Sequence, residues 1–349
     1  MPESTEVLEY TQFINSKFKN KILESVKILK GRYKKHKDFT GYKTLKSGNY
    51  KLLDVKSKGK FMYIEFEKIK DRRSPERRSK ETRSRTRSWS RSKDHRSPER
   101  SSKSIYLGVT LGLSGGWFYR AFGSTSGSKD RRSPKLINGL DTERFDDDIS
   151  SKYLTTAMKH INVEFTFNSG TLYFYDQLSY GTLNVLSQSE LDSKLKKIGK
   201  DMGDPETTFE DFYDALHKNF RASSEPIGNL IVNQKIISGV GNYLRADSLW
   251  AAKISPFRKL KDISKIELKK LYHQIRILIY GAGSKSLKAL GKKLKIIKSF
   301  ASGDKFPSDY DRGFWIYKME TDIHGHDVIV DTLYEGSQKR FIYYTLDQK

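Results

Sequence analysis

Residues 226–247 read PIGNLIVNQKIISGVGNYLRAD, and this stretch defines the fold more than any other part of the chain. Its pattern predicts a helix that ends near Lys235, a turn formed by ISGVG, and a second helix that begins at Asn242. Gly239 and Gly241 permit a close backbone approach in that turn. A helix N-terminus with an Asn cap is a natural seat for a phosphate, although a plain helix-turn-helix packing unit explains the same pattern.

Helical periodicity surrounds this stretch and ends before the C-terminus. The predicted helices cover residues 208–219, 226–233, 242–252 and 263–280. Residues 281–312 are rich in Gly, Ser and Lys, and we expect them to be mobile. The chain closes with two predicted strands, DVIVDTLY at 327–334 and KRFIYYTL at 339–346, joined by Glu335-Gly336-Ser337 as a hairpin.

The first half of the chain begins with one predicted helix, at residues 5–18, which Ser4 or Thr5 is expected to cap. Its apolar face consists of Val7, Tyr10, Ile14 and Phe18, spaced by three and four residues. The positive end of its dipole would lie close to the Pro2 nitrogen and disfavour protonation there.

Strand patterns follow this helix as far as about residue 187. They comprise ILESVKIL (22–29), YKLLDVKS (50–57), KFMYIEFEK (60–68), a strand-turn-strand at 104–123 and a hairpin at 161–177. In KFMYIEFEK, alternation places Met62, Ile64 and Phe66 on the more apolar face. The basic turn KSKGK before that strand carries Lys60 and could hold a phosphate, although most such turns are solvated hairpin ends.

An Arg-Ser repeat interrupts these strands. KDRRSPERRSK at 70–80 recurs as KDHRSPERSSK at 93–103, and a shorter copy, KDRRSPK, lies at 129–135. Such sequence cannot build a core, so we predict disordered insertions at about 70–103 and 124–140. The repeats resemble the RS segments of splicing-related proteins, which bind RNA or protein partners and are phosphorylated. They suggest a nuclear location.

The composition favours a polyanionic partner. The 349 residues carry 66 Lys and Arg against 42 Asp and Glu, a net charge of +24, which indicates nucleic acid first and an acidic membrane second. The absence of cysteine excludes disulfides and thiolate zinc sites. We find no apolar run long enough for a membrane span and no signal-peptide pattern, so we expect a soluble, intracellular protein of two or three domains.

Met1-Pro2-Glu3 offers unusual chemistry. If Met1 is removed, Pro2 presents a secondary amine that can form an iminium ion with an aldehyde-like carbon. Glu3 beside it could move protons. Taken alone, a Pro after the initiator Met is usually an accident of the start codon. His324-Gly325-His326 has no second ligand pair at usable spacing, so the sequence predicts no metal site.

Four separated blocks together resemble the Fpg/Nei family of DNA glycosylases (formamidopyrimidine-DNA glycosylase and endonuclease VIII). MPESTEV is similar to the family's N-terminal MPEGPEV, KGKFMYIEF to its lysine-bearing strand, and LGLSGGW to its LGMSG strand. NQKIISGVGNYLRADSLWAAKISPF, at 233–257, resembles the family's helix-two-turn-helix segment over its whole length. The blocks occur in the family's order and span the chain apart from the insertions and 281–312.

The resemblance implies an α+β fold of three domains. Residues 1–187 would form a catalytic N-terminal β-sandwich with an N-terminal helix, and 188–300 a helical helix-two-turn-helix domain that binds DNA. Residues 301–349 would form a C-terminal β-hairpin finger. The family's finger is often a four-cysteine zinc site, so this chain resembles the zincless-finger Nei-like branch. NYLRAD resembles that branch's NYLRAE, with Asp247 in place of Glu.

The resemblance also implies the site residues. Pro2 would attack C1′ of a damaged nucleotide, release the base and leave a Schiff base, and β- and δ-elimination would cut the strand. Glu3 would move protons, and Lys60 joins these two as the third expected catalytic residue. The residues expected to bind DNA are Lys60, Lys235, Asn242 and Arg340.

Flipping a base out of the stack leaves a void that a wedge must fill. Leu113 matches the family's intercalating Met, and Tyr180 can stack within DQLSYG at 176–181. This turn replaces the family's DPRRFG, and Leu178 and Ser179 stand where it has two arginines. The departure puts contact with the opposite base in doubt.

We therefore predict a bifunctional DNA glycosylase and AP lyase for oxidised bases, monomeric, without cofactor or membrane partner. Its expected partner is damaged double- or single-stranded DNA, with RNA or proteins at the Arg-Ser segment as a further possibility. The alternative is a non-catalytic nucleic-acid-binding protein on a glycosylase scaffold. A third reading, an RS-type RNA-processing factor, is weaker because the repeats are confined to loops. The sequence leaves base preference and strand preference open.

Overall fold

A computed structural model describes residues 2–69, 104–121, 136–138, 159–218, 223–281, 283, 285–296, 315–335 and 338–349. The Arg-Ser repeats lie outside the described residues, and so does the prediction that they are disordered. Of the second predicted insertion, at about 124–140, only 136–138 is described, and these three residues form a strand.

The described residues of the N-terminal half form strands and short and long helices. Its helices are α1 (Ser4–Phe18), α2 (Gly31–Lys35) and α3 (Tyr42–Lys46). Its strands are β1 (Ile22–Ile28), β2 (Tyr50–Lys58), β3 (Phe61–Lys68), β4 (Ile105–Thr110), β5 (Gly115–Ala121), β6 (Leu136–Asn138), β7 (Ile161–Phe167), β8 (Gly170–Asp176) and β9 (Thr182–Leu186).

These strands form one sheet in the order β6-β5-β8-β7-β1-β2-β3-β4-β9. Strands β4 and β5 follow each other in the chain through residues 111–114, yet they lie near opposite ends of the strand order. A link of four residues can join them only if the sheet folds back on itself, which makes the two layers of a sandwich. Met62, Ile64 and Phe66 of β3 are buried in the shared core, as their alternation predicted.

Helix α1 packs on this core through the predicted face, Val7, Tyr10, Ile14 and Phe18, all of which are buried. The predicted cap is wrong. The N-cap is Glu3, in a capping box with Glu6, while Ser4 and Thr5 are the first residues of the helix and are buried. The helix therefore begins one residue earlier than predicted, directly after Pro2 and Glu3.

A second core lies among the helices of the C-terminal half. These are α4 (Gln188–Lys196), α5 (Phe209–His217), α6 (Ile227–Leu230), α7 (Asn242–Ala252), α8 (Lys265–Gly281) and α9 (Lys285–Lys293), with short strands β10 (Lys200–Asp201) and β11 (Ile237–Ser238). The predicted bounds of α7 are confirmed. Helix α4 was not predicted, although Ser187 and Glu190 form its capping box.

Two predictions in this region are wrong. The first helix of the opening stretch ends at Leu230 rather than near Lys235, because the side-chain amide of Gln234 donates to the carbonyls of Val232 and Val240 and holds the chain in a turn. Residues 285–293, expected to be mobile, form α9, because Leu287 is buried in the helical core. No helix in the described parts of the chain is long and apolar enough to cross a membrane.

The chain ends in the predicted antiparallel hairpin of β12 (Ile329–Glu335) and β13 (Gln338–Tyr344). Leu333 and Ile342 are buried on one of its faces. Asn229 of α6 donates its side-chain amide to the carbonyl of Tyr334 at 2.9 Å. The hairpin is therefore packed and hydrogen-bonded onto the helical core through one face.

Candidate active site

The N-terminus of the chain lies against the N-terminus of α7. The Glu3 carboxylate accepts backbone N–H bonds from Gly241 at 2.7 Å, Tyr243 at 3.1 Å and Leu244 at 3.3 Å. These are the N–H groups that a helix leaves without partners in its first turn. The expected phosphate seat at this helix end is therefore wrong, because a carboxylate of the protein already occupies it.

Lys60 lies beside Glu3 and is partly buried. A Cβ atom at Gly241 would lie 2.2 Å from Glu3 Oε1 and 2.4 Å from Lys60 Nζ, so only glycine leaves room for both side chains. Burial raises the pKa of Glu3 to about 7, although the charge of Lys60 and the N–H bonds oppose this rise. Burial also lowers the pKa of Lys60, against the attraction of Glu3.

Two turns bring these residues together. Gly59 has a φ of +56°, and a Cβ there would lie 2.6 Å from Ser238 Cβ. Gly239 has a φ of +98°, and a Cβ there would lie 1.9 Å from Ser4 Oγ. The Ser4 N–H donates to the Gly239 carbonyl at 3.1 Å. The close backbone approach predicted at Gly239 and Gly241 is confirmed, and it joins the β-sandwich to the helical core.

Glu6 and Tyr243 complete this junction. The Glu3 N–H donates to Glu6 Oε2 at 2.8 Å, and the Tyr243 hydroxyl donates to the same oxygen at 3.0 Å. Glu6 thus holds the backbone of Glu3 and the first turn of α7 at once. In the sequence, Glu6 stands out only as a residue that MPESTEV shares with the family's MPEGPEV. The spacing of three residues between Glu3 and Glu6, typical of a capping box, was the one local signal for its role.

The remaining predicted DNA contacts are distributed unevenly. Arg340 of β13 lies close enough to Lys60 to lower its pKa. Asn242 is the first residue of α7, but the expected Asn cap is wrong, because the N-cap is Gly241. The Asn242 side-chain oxygen lies 3.5 Å from Nη2 of the buried Arg245. Lys235 is exposed beside a cleft of about 1320 Å³ whose lining includes neither Glu3 nor Lys60. Glu3, Lys60, Asn242 and Arg340 therefore cluster, and Lys235 borders a different cavity.

Large apolar side chains stand exposed on two loops of the sandwich. Leu113 is 46% exposed, Leu178 53% and Tyr180 62%. Asp176 joins the loops by accepting from the Ser114 hydroxyl at 2.6 Å and the Gly181 N–H at 2.6 Å. The two predicted wedge residues, Leu113 and Tyr180, thus lie on adjoining loops, and Leu178 is a third exposed apolar side chain beside them.

A family model described as the formamidopyrimidine-DNA glycosylase H2TH domain matches residues 203–287. The match includes α7 and the turn that holds Glu3, so the resemblance predicted from the sequence is confirmed for the H2TH domain.

Two curated proteins are similar to parts of this chain. The formamidopyrimidine-DNA glycosylase of Streptococcus agalactiae serotype III (strain NEM316) is 33% identical over 128 residues, which cover 35% of this chain and 45% of that protein. The Thermus thermophilus enzyme of the same name is 24% identical over 164 residues, covering 46% of this chain and 58% of that protein. The chain thus spans about half the length of the curated relatives it matches.

Solved structures resemble the chain over its whole length. One is a Lactococcus lactis formamidopyrimidine-DNA glycosylase bound non-covalently to DNA with an AP site, with a TM-score of 0.61, 16% identity and 99% coverage of both chains. Another is MutM in complex with DNA containing carbocyclic 8-oxo-G, with a TM-score of 0.61, 15% identity and full coverage. The likeness shows the fold, and it confirms the predicted β-sandwich, helical domain and C-terminal hairpin.

Asp247 marks where the H2TH domain meets the segment before the hairpin. Its buried carboxylate accepts the N–H groups of Ile316 at 3.1 Å and Tyr317 at 3.2 Å. The Asp247 side chain thus contacts the backbone of this segment directly. It anchors the chain that leads into β12.

The His324-Gly325-His326 loop is organised by a carboxylate. Asp322 Oδ1 accepts the N–H groups of His324 at 2.8 Å and His326 at 2.9 Å, and Oδ2 accepts from Trp250 Nε1 at 3.1 Å. Among the residues that the structure describes, no group of three or more His, Asp or Glu could hold a metal ion. Asp322 therefore holds this loop against α7 by hydrogen bonds.

Proposed function

We propose that this protein is a DNA glycosylase that excises oxidised bases through Pro2 and then cuts the strand as an AP lyase. One observation carries the proposal: the buried Glu3 carboxylate, directly after Pro2, is held by the first turn of α7 beside Lys60. A binding protein has no need to bury a carboxyl and partly bury a lysine next to its N-terminal proline, because burial of charge is costly.

DNA as the ligand is supported by charge and by the relatives. The net charge of +24 suits a polyanion. The curated relatives are formamidopyrimidine-DNA glycosylases, and the solved structures of similar fold hold DNA with an AP site or with carbocyclic 8-oxo-G. The activity and the DNA partner are extended to this chain by that likeness and by the site.

The chemistry begins once Met1 has been removed. The lone pair of the Pro2 nitrogen forms a bond to C1′, the N-glycosidic bond breaks, and the base leaves with its electron pair and takes up a proton. The Pro2 nitrogen then gives its N–H proton to the departing base or to water, and a proton from Glu3 to the ring oxygen lets the C1′–O4′ bond break, which opens the sugar and leaves an iminium ion on Pro2. Loss of a proton from C2′ expels the 3′ phosphate by β-elimination, and a δ-elimination then expels the 5′ phosphate.

The perturbed side chains suit these proton transfers. A Glu3 pKa of about 7 lets the carboxyl donate and accept protons near neutral pH. Lys60, with a lowered pKa and a position beside Glu3, stabilises negative charge that develops there and can reach a phosphate. Arg340 and the Asn242 side chain are proposed phosphate contacts at the same cluster, and Lys235 a more distant one.

Leu113, Leu178 and Tyr180 are the proposed wedge that fills the space of a flipped base. All three are exposed and lie on loops that Asp176 joins. None carries a guanidinium group, so the wedge lacks the donors that would read the opposite base in the family's double-arginine turn. We expect weak discrimination among opposite bases.

The non-catalytic alternative predicts DNA binding without a covalent intermediate. Sodium borohydride traps an iminium ion, so protein lacking Met1 should become covalently linked to abasic-site DNA. Pro2→Gly should reduce trapping greatly, and a retained N-terminal tag should abolish it because the amine is then an amide. Leu346→Ala, an exposed side chain near the C-terminus, is the matched control. Absence of trapping by correctly processed protein would contradict the enzymatic function.

A further inference from the structure

The outer face of the C-terminal hairpin is exposed and aromatic. The strand register pairs Val330 with Tyr343, Thr332 with Phe341 and Tyr334 with Lys339, and alternation places these six side chains on one face. On this outer hairpin face, Val330 is 53% exposed, Phe341 59% and Tyr334 61%. Apolar side chains of this size rarely cluster in solvent without a partner.

The opposite face accounts for the stability of the hairpin. Leu333 and Ile342 are buried there, and Arg245 donates from Nη2 to the carbonyl of Phe341 at 2.6 Å. Burial of apolar surface and a charged hydrogen bond already hold the two strands on the H2TH domain. Of the outer hairpin face, Tyr343 packs at the edge of the helical core, while Val330, Tyr334 and Phe341 stay exposed within the described parts of the chain.

The chemistry of the outer hairpin face suits the bases and phosphates of a nucleic acid strand. It carries three aromatic rings and one lysine but no carboxylate. Lys339 Nζ lies 5.9 Å from the centre of the Phe341 ring. Aromatic rings beside cations are the usual platform for unpaired bases, since every base has a π-face and every nucleotide a negative charge.

The outer hairpin face leads to the candidate active site. The ring centre of Tyr343 lies 5.1 Å from that of Tyr317, which lies 6.5 Å from that of Tyr243. Tyr317 also hydrogen-bonds to Asn242, at the start of the helix that holds Glu3. A strand bound at the active site could thus continue over Tyr317 onto the hairpin.

We propose that the outer hairpin face is a stacking platform for unpaired nucleotides, so that the protein prefers DNA that is single-stranded beside the lesion. Bases within a duplex already stack on each other and cannot reach such a platform. The inference rests on the proposed function in one respect, that nucleic acid is the ligand of the adjoining site. It adds a strand preference that Pro2 and Glu3 do not determine.

The test measures the affinity of the complete protein for a labelled single strand of about 16 nucleotides and for the matched duplex, by fluorescence anisotropy. Phe341→Ala and Tyr334→Ala should each weaken single-strand binding by about tenfold, the effect of removing one stacked base. Duplex binding should weaken much less. Phe341→Trp should restore single-strand affinity, and Leu346→Ala, also exposed but outside this face, should change neither.

Equal losses on both DNAs, or no loss on the single strand, would overturn the platform. If Phe341→Ala leaves single-strand affinity unchanged but abolishes binding of a protein, the outer hairpin face is a binding site for that protein instead. Anisotropy needs no chemistry, so its result is independent of borohydride trapping. If trapping fails while Phe341 still governs single-strand affinity, the platform stands and the glycosylase proposal falls.

Discussion

Two buried carboxylates touch opposite ends of α7 and behave in opposite ways. Glu3 accepts N–H bonds from the first turn of the helix, and Asp322 accepts one from Trp250 near its end and others from the 324–326 loop. Burial raises the pKa of Glu3 to about 7 in spite of those bonds. Burial acts in the same direction on Asp322, but its hydrogen bonds outweigh it and lower the pKa.

The difference separates a structural carboxylate from one suited to chemistry. Asp322 is surrounded by donors that favour its charged form, so it stays ionised and anchors a loop. Glu3 lies beside a partly buried Lys60, and burial raises the pKa of Glu3 in spite of that cation, so its charged form is not fully compensated. Ionisable side chains whose burial is not offset by hydrogen bonds and neighbouring charges have shifted pKa values, and such groups are typical of sites where protons are transferred.

Opposite shifts give opposite dependence of stability on pH. The folded-state pKa of Glu3 lies above its ordinary 4.5, so its contribution to stability is complete below 4.5 and is lost as the pH rises through about 7. The folded-state pKa of Asp322 lies below its ordinary 3.8. Its contribution is present above 3.8 and is lost as the pH falls through the lowered value.

The largest expected effect is that of Glu3→Gln. Base release from lesion-containing DNA should fall by about 10² to 10⁴-fold, since the variant keeps the shape but cannot transfer a proton. Wild-type excision should decline as the pH rises through about 7, and single-turnover kinetics across pH should find this limb missing in the variant. Denaturation should also find the variant more stable relative to wild type at pH 8 than at pH 5.

Glu24→Gln, at an exposed carboxyl on β1, is the matched control for that measurement. Unchanged base release in Glu3→Gln would remove the carboxyl from the reaction. It would also make Glu3 a structural group like Asp322.

Asp322→Asn should affect stability instead of activity. Loss of the charge weakens bonds from Trp250, His324 and His326, and we expect the free energy of unfolding to fall by about 1 to 3 kcal/mol. The deficit should shrink in acid, where wild-type Asp322 is also protonated. Denaturant titration at two pH values measures both effects, with the exposed Asp38→Asn as control. If Asp322→Asn instead lost base excision and kept its stability, Asp322 would not be a purely structural carboxylate and would not differ from Glu3 in role.

Arg340→Ala should give the smallest effect. Arg340 is on the hairpin, yet its charge acts on Lys60, so it belongs with the Glu3 region in function. Affinity for damaged DNA should fall by about tenfold, and the slope of affinity against salt should decrease by about 1. Binding titrations over a salt series test this against the exposed Arg32→Ala. Equal affinity and slope would exclude Arg340 from phosphate contact.

Local sequence determined the elements whose pattern lies within a few residues. The bounds of α7, the apolar face of α1, the inner face of β3 and the terminal hairpin followed from spacings of two, three and four. Predictions failed where a side-chain or long-range contact determined the structure. The Gln234 side chain ends α6 earlier than predicted, and burial of Leu287 in the helical core stabilises α9. A short amphipathic segment becomes a helix only when a core covers it.

Pro2 and Glu3 could be singled out from residue type alone, and Lys60 and Asn242 as possible phosphate contacts. Arg340 could be found only through the family resemblance, and Leu178 only as a departure from the family's pattern. Only the tertiary structure decided that Glu3, not a phosphate, occupies the start of α7. Its partner Gly241 is 238 positions away, and the pKa of a carboxyl depends on burial and on charges brought near by folding. Sequence thus determined which groups are available, and packing decided which of them are buried together and therefore reactive.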